Sequence, residues 1–267
     1  MSKPSGAIDM TQGKPINLML RFALPMMIGS IFQSLYSMVD SAVLGRFVGS
    51  HALAAIGATT STTGLILLLA TGVTSAISIV LSQYVGANDT DRVRKGIVAS
   101  GWITLLLGVV LGLISVFAAR PLMQLLKTPE DVIDMSVLYI QIVCGCGIAQ
   151  FAYNAAASIL RALGDSKTPL YFLILCSILN VILDLISVIG LNMGVAGVAV
   201  ATVGSQAISA AICILVMFRK YPDLMPKRHT LRPDMPVSLK IFGMGAQMAL
   251  QSLFLSVGMM VITRVIN

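Results

Sequence analysis

Charge is what this 267-residue sequence has least of. Only 11% of its residues are Asp, Glu, Lys or Arg, against roughly 25% in a soluble domain. With 57% hydrophobic residues, that scarcity points to an integral membrane protein. Histidine occurs twice, as His51 and His229, both in loops between apolar runs, so no helix carries a serine–histidine or zinc pattern. The four cysteines, Cys144, Cys146, Cys176 and Cys213, all lie inside apolar segments. Cys144 and Cys146 stand two apart and face nearly opposite sides of a helix, so buried small hydrophobes are the better reading.

Charge-free windows follow one another along the chain at 22–39, 52–88, 96–119, 135–160, 168–183, 185–218 and 241–263. A membrane span needs about 20 residues. The window 185–218 breaks at the turn-like cluster Gly190-Leu191-Asn192-Met193-Gly194 and is shared between two helices. Seven helices are expected, over roughly 16–44, 52–80, 96–119, 132–160, 168–189, 194–218 and 241–263. With the N-terminus in the cytoplasm, fourteen of the eighteen Lys and Arg fall inside, a strong positive-inside bias. The net charge of +7 is then topology and lipid contact, with no call for nucleic acid. Residues 1–15 are polar and read as a short cytoplasmic tail, without a cleavable signal peptide.

Local signals place the ends. Thr128-Pro129-Glu130-Asp131 reads as a helix start with Thr128 capping and Pro129 in the first turn. In Arg161-Ala162-Leu163-Gly164-Asp165-Ser166-Lys167-Thr168-Pro169, Gly164 stops one helix, Asp165 or Ser166 caps the next, and Pro169 is early in it. Pro25, inside the first helix, should kink it or break its hydrogen-bond ladder. The residue alone leaves open whether it is a hinge or an ordinary irregularity.

The last helix resembles the first at an offset of 218. Gln33-Ser34-Leu35-Tyr36 meets Gln251-Ser252-Leu253-Phe254, and Met26, Val39 and Arg46 meet Met244, Val257 and Arg264. Pro25 and Asp40 are replaced by Gly243 and Gly258. An even number of helices per repeat gives both copies one orientation, related by a pseudo-twofold along the membrane normal. The expected division is therefore a tail (1–15), a six-helix lobe (16–218), a cytoplasmic loop (219–240) and the first helix of a second lobe (241–267). So divided, the chain reads as an expected fragment of a protein nearer twice its length, with a natural seven-helix protein as the alternative.

Of the eleven acids, Asp40 and Asp184 alone sit within helices away from basic flanks, and such carboxylates are functional by default. They lie at nearly equal depth, 19 residues from Arg21 and 17 from Lys167. Asn180 shares a helix face with Asp184, and Thr202, counted from the outer turn, falls near the same layer. Two carboxylates with amide and hydroxyl oxygens suit Na⁺ and offer nothing to zinc or copper. Paired carboxylates in low dielectric also favour holding a proton. Snorkelling carboxylates at the outer boundary are the plainer alternative. An intramembrane aspartyl protease needs Tyr-Asp and Gly-x-Gly-Asp; here stand Val39-Asp40 and Leu183-Asp184, so no enzyme is expected.

The chain resembles the multidrug and toxic compound extrusion (MATE) transporters, in particular their DinF-like bacterial branch. The match is carried by Pro25 with Gln33-x-x-Tyr36-x-x-Val39-Asp40 and Gly45, by Gln83-Tyr84-Val85-Gly86-Ala87, and by Leu160-Arg161-Ala162-Leu163-Gly164-Asp165-x-x-Thr168-Pro169. Gly194-Val195-Ala196-Gly197 leading to Ala201-Thr202 completes it, and the resemblance covers essentially all 267 residues. It implies twelve helices in two lobes around a cavity, in the bacterial cytoplasmic membrane, exchanging Na⁺ or H⁺ for bulky, often cationic drugs, with no cofactor. By the same resemblance the cation site falls on Asp40, Asn180, Asp184 and Thr202. Gln33, Tyr36 and Asn154 support the cavity, and Pro25 is where bending is expected. The implied partners are a hydrophobic cationic small molecule, membrane lipids and a C-terminal lobe. Related alternatives are a lipid-linked oligosaccharide flippase, whose cavity would be basic, or a non-transporting membrane scaffold.

Overall fold

The structure is a computed structural model that describes residues 14–226 and 232–266, with backbone only at 61, 65 and 256–266. The expected tail and the positions of Lys227, Arg228 and His229 lie outside the described residues, Lys14 and Pro15 excepted. The described residues form eight α-helices and one π-helical turn. These are α1 (Pro15–Phe47), α2 (Ser50–Gly86), α3 (Thr90–Leu125), α4 (Glu130–Gly145) and α5 (Ile148–Ala162), then α6 (Lys167–Leu185), the π turn (Ile186–Gly190), α7 (Gly194–Lys220) and α8 (Met235–Ile266).

Among the described residues, five helices are long and apolar enough to cross a membrane, and six spans are reached if α4 and α5, bent by 43° at their break, are counted as one. The single helix expected over 132–160 is therefore broken. The break falls at Cys146-Gly147, where the Gly147 N–H turns back to the Cys144 carbonyl at 3.1 Å. The neighbouring helix requires it to be small. A Cβ on Gly112 of α3 would sit 2.9 Å from the Gly145 carbonyl oxygen, and one on Gly108 would press on Ile148. Glycines four apart thus let α3 seat its backbone against the broken turn, as small-residue stripes do in membrane helices.

Several helices outrun their apolar windows. α2 continues to Gly86 and α3 begins at Thr90, because hydropathy marks the stretch in hydrocarbon, not the end of the hydrogen-bond ladder. Between them Asn88 takes a left-handed φ of 55°, and the Asp89 carboxylate caps α3 by accepting the Arg92 N–H at 3.0 Å. Before α4 the expected cap is corrected. Pro129 occupies the capping position, and the Thr128 hydroxyl turns back to the Met123 sulfur at 3.7 Å. α1 runs through Pro25 uninterrupted.

The ends rich in Lys and Arg gather at one end of the bundle, called here the basic end. There the Arg94 Nε–H donates to the Asp223 carbonyl at 2.7 Å. The largest apolar cluster lies toward this end, joining Ile77, Leu81 and Tyr84 of α2, Ile97 of α3, Leu160 of α5, Met217 of α7 and Ile241 of α8. A smaller cluster of Val43, Leu44, Val188, Val195 and Val198 packs the opposite end. α8 lies along α2 and touches α3. α1 packs chiefly on α6 and leaves most of its surface uncovered, burying only Pro25, Gly29, Val43 and Leu44.

Candidate cation site

Two helix registers bring the acids together. Gly29 of α1 faces Leu170 and Leu173 of α6; carried up the two parallel helices, that register sets Asp40 level with Asp184. Ser187 meets Gly197, and Leu183 meets Gly204, so Asp184 stands level with Thr202 between these two rungs. The Asp40 and Asp184 carboxyls lie close enough to interact directly. Asn180 and Asp184 are fully buried, Thr202 is 5% exposed, and Asp40 is half-buried at the edge of the layer. Asp184 comes just before the change from α-helix to π turn at Ile186, the kind of irregularity that often marks a working site.

What distinguishes this layer is what its polar atoms lack. Asp40 Oδ1, both Asp184 oxygens, both polar atoms of the Asn180 amide and Thr202 Oγ1 are buried with no hydrogen-bond partner among the described residues. Elsewhere among the described residues, only the Ser166 and Ser209 hydroxyls share that condition. Leaving a buried polar atom unpaired costs about 1–3 kcal/mol, and more for a charged group. These five oxygens, within about one helical turn of each other in depth, are hard ligands of the kind that Na⁺ or a shared proton takes.

The other expected residues take different places. Tyr36 is half-buried one turn below Asp40, within electrostatic reach of both acids. Gln33 is exposed on the open face of α1, in a largely polar strip with Ser30, Ser34, Ser37, Met38 and Ser41 of the same helix. Asn154 is half-buried on α5, and no hydrogen bond joins it to the acid layer among the described residues. Pro25 is buried in α1 one turn below Gly29.

Three features escaped sequence reasoning. Tyr139 of α4 is a second phenol in reach of both Asp40 and Asp184; its depth, nine residues in from Glu130, was the available signal. The serines of α1 repeat at helical spacing, and each hydroxyl donates to the carbonyl four residues back, at 3.0–3.2 Å. Asp165, read as a loop cap, is fully buried. Its carboxylate accepts the Thr168 N–H at 3.1 Å and hydroxyl at 2.6 Å, the Lys220 ammonium at 2.6 Å, and the Tyr221 hydroxyl at 3.4 Å. Burial, with the Asp165 charge beside it, pushes the Tyr221 phenol above its ordinary pKa, which keeps it a donor.

The MatE family profile matches residues 25–186, more than half of the chain. The chain belongs to the MatE family. It is 32% identical over 263 residues to the probable multidrug resistance protein YpnP of Bacillus subtilis, an alignment covering 98% of this chain and 58% of YpnP. Among solved structures it is similar to a multidrug resistance MATE family transporter in an outward-facing conformation. That match has a TM-score of 0.89 and 25% identity and covers 97% of this chain and 57% of the other. A MATE protein crystallised in a bent conformation matches with a TM-score of 0.85 and 25% identity, over 93% of this chain and 55% of that one. The chain thus spans a little over half the length of the MatE relatives it matches. Its apolar helices and its family make it an all-α, multi-pass membrane protein.

Proposed function

We propose that the chain is the N-terminal lobe, with the first helix of the second lobe, of a cation-coupled exporter of bulky, often cationic drugs. The observation that carries this reading is the buried layer of unpartnered oxygens on Asp40, Asn180, Asp184 and Thr202. A coupling cation, Na⁺ or H⁺, reaches that layer from the end opposite the basic one. The basic end faces the cytoplasm of a bacterial cell, following the positive-inside bias. Neutralising the two carboxyls removes the like-charge repulsion between α1 and α6. α1, held mainly by α6 and without a backbone donor at Pro25, is the element free to bend. Bending turns the polar face of α1 that carries Gln33 and releases the drug.

The open face of α1 over residues 30–41 presents serine, glutamine and methionine and no cation, which suits a drug better than an anionic lipid-linked sugar. The names of the relatives, a probable multidrug resistance protein among them, support the same substrate class, and nothing in the layer requires an enzyme. The test is efflux by the full reading frame in vesicles under separately imposed Na⁺ and pH gradients. Export driven by one gradient supports the reading; export indifferent to both overturns it.

A further inference from the structure

The residues Gln83 and Tyr84 belong to a motif of the chain that the cation site does not use. They sit at the basic end of α2, where α8 enters the bundle. The Lys240 ammonium of α8 donates to Gln83 Oε1 at 3.1 Å and lies 5.1 Å from the Tyr84 ring centre. Arg92 of α3 lies 5.9 Å from the same ring, so one phenol gathers two cations. Just before α8, Asp234 pairs with Lys95 of α3 at 3.4 Å. The Lys95 side chain is 47% exposed and that of Asp234 25%, so water reaches this pair and it can be made and unmade.

These contacts continue a tight seam. A Cβ on Gly72 would meet the Ala249 nitrogen at 2.8 Å, and one on Gly245 would meet the Val73 Cα at 3.0 Å. α2 and α8 therefore touch backbone to backbone in mid-span and are tied by side chains at the basic end. α1, which carries Asp40, makes only slight contact with α2 and takes no part in the tie.

We propose that Lys240 on Gln83 and Tyr84, with Lys95 on Asp234, forms a breakable clasp that closes the basic end of the transport path between the lobes. The proposal rests on reading α8 as the first helix of the second lobe. In the state seen here the clasp is shut, and opening toward the basic end requires both ties to part together. Several weak, exposed contacts suit this better than one strong one, since each is cheap to break and the set restores register.

The test is a distance measurement on the full reading frame in lipid nanodiscs. Spin labels go on the exposed neighbours, as Ser82→Cys and Leu239→Cys in a background lacking the native cysteines. A short and a long separation are expected, with the long population rising about twofold to fivefold in Lys240→Met and Lys95→Met. Lys240→Arg, which keeps the charge over the ring, should stay near the parent distribution. Molar salt should raise the long population in the parent and have less effect in the double Met variant. One short distance in every variant and salt condition overturns the clasp, whatever the protein exports. Distances that behave as expected in a protein that does not export leave the clasp standing and fail the transport reading alone.

Discussion

Asp165 and Lys220 form a buried ion pair, carboxylate oxygen to ammonium nitrogen at 2.6 Å, with side-chain exposures of 1% and 22%. It ties the turn between α5 and α6 to the end of α7, and Thr168 completes it by accepting from the same ammonium at 3.2 Å. Removing Lys220 leaves the buried Asp165 carboxylate without its counter-charge, and removing the carboxylate leaves a Lys220 ammonium that water reaches only in part. Asp165→Asn or Lys220→Met should therefore cost about 3–5 kcal/mol, seen as a lowered unfolding temperature in detergent. The double replacement should recover part of that loss.

Gly72 meets Ala249 too closely for any side chain. Gly72→Ala should separate α2 from α8 and cost about 1–3 kcal/mol, read by the same thermal unfolding. Gly57, whose Cβ position is open, should accept alanine with no loss.

Pro25 stands inside an unbroken helix, where proline leaves the carbonyl four residues back without its donor. Pro25→Ala should restore the ladder and leave stability equal or higher, while efflux by the full reading frame falls. Unchanged efflux would remove bending at Pro25 from the account.

Thr202 contributes a hydroxyl oxygen to the layer and no charge. Thr202→Val should weaken coupling about tenfold, in keeping with one lost hydrogen bond or ligand, measured as a higher cation concentration for half-maximal efflux. Abolished efflux in an unstable protein would instead mark a packing role.

The acid layer was legible because polar residues are rare in apolar helices, and depth can be counted from the flanking bases. The helix registers set Asp40 level with Asp184, and Asp184 level with Thr202, the depths that counting expects. The Asp165 pair was not legible, since both members stand at helix ends among other charges and look solvated. The break between α4 and α5 lies inside a charge-free window, where hydropathy is blind to a bend; only the flanking glycines hint at it. Tyr139 carries no charge, so only its depth, nine residues in from Glu130, set it apart from an aromatic of the membrane interface. The serines of α1 satisfy their own hydrogens on the helix and leave no trace in composition.

The most direct test of the central claim is gradient-driven drug efflux by Asp40→Asn in the full reading frame, beside the parent protein, in vesicles with matched protein content. Asparagine keeps the shape and removes the titratable charge. The account predicts that the parent answers to an imposed Na⁺ or H⁺ gradient and that Asp40→Asn, folded and equally stable, answers to neither. Parent-level, gradient-driven efflux by Asp40→Asn would contradict it.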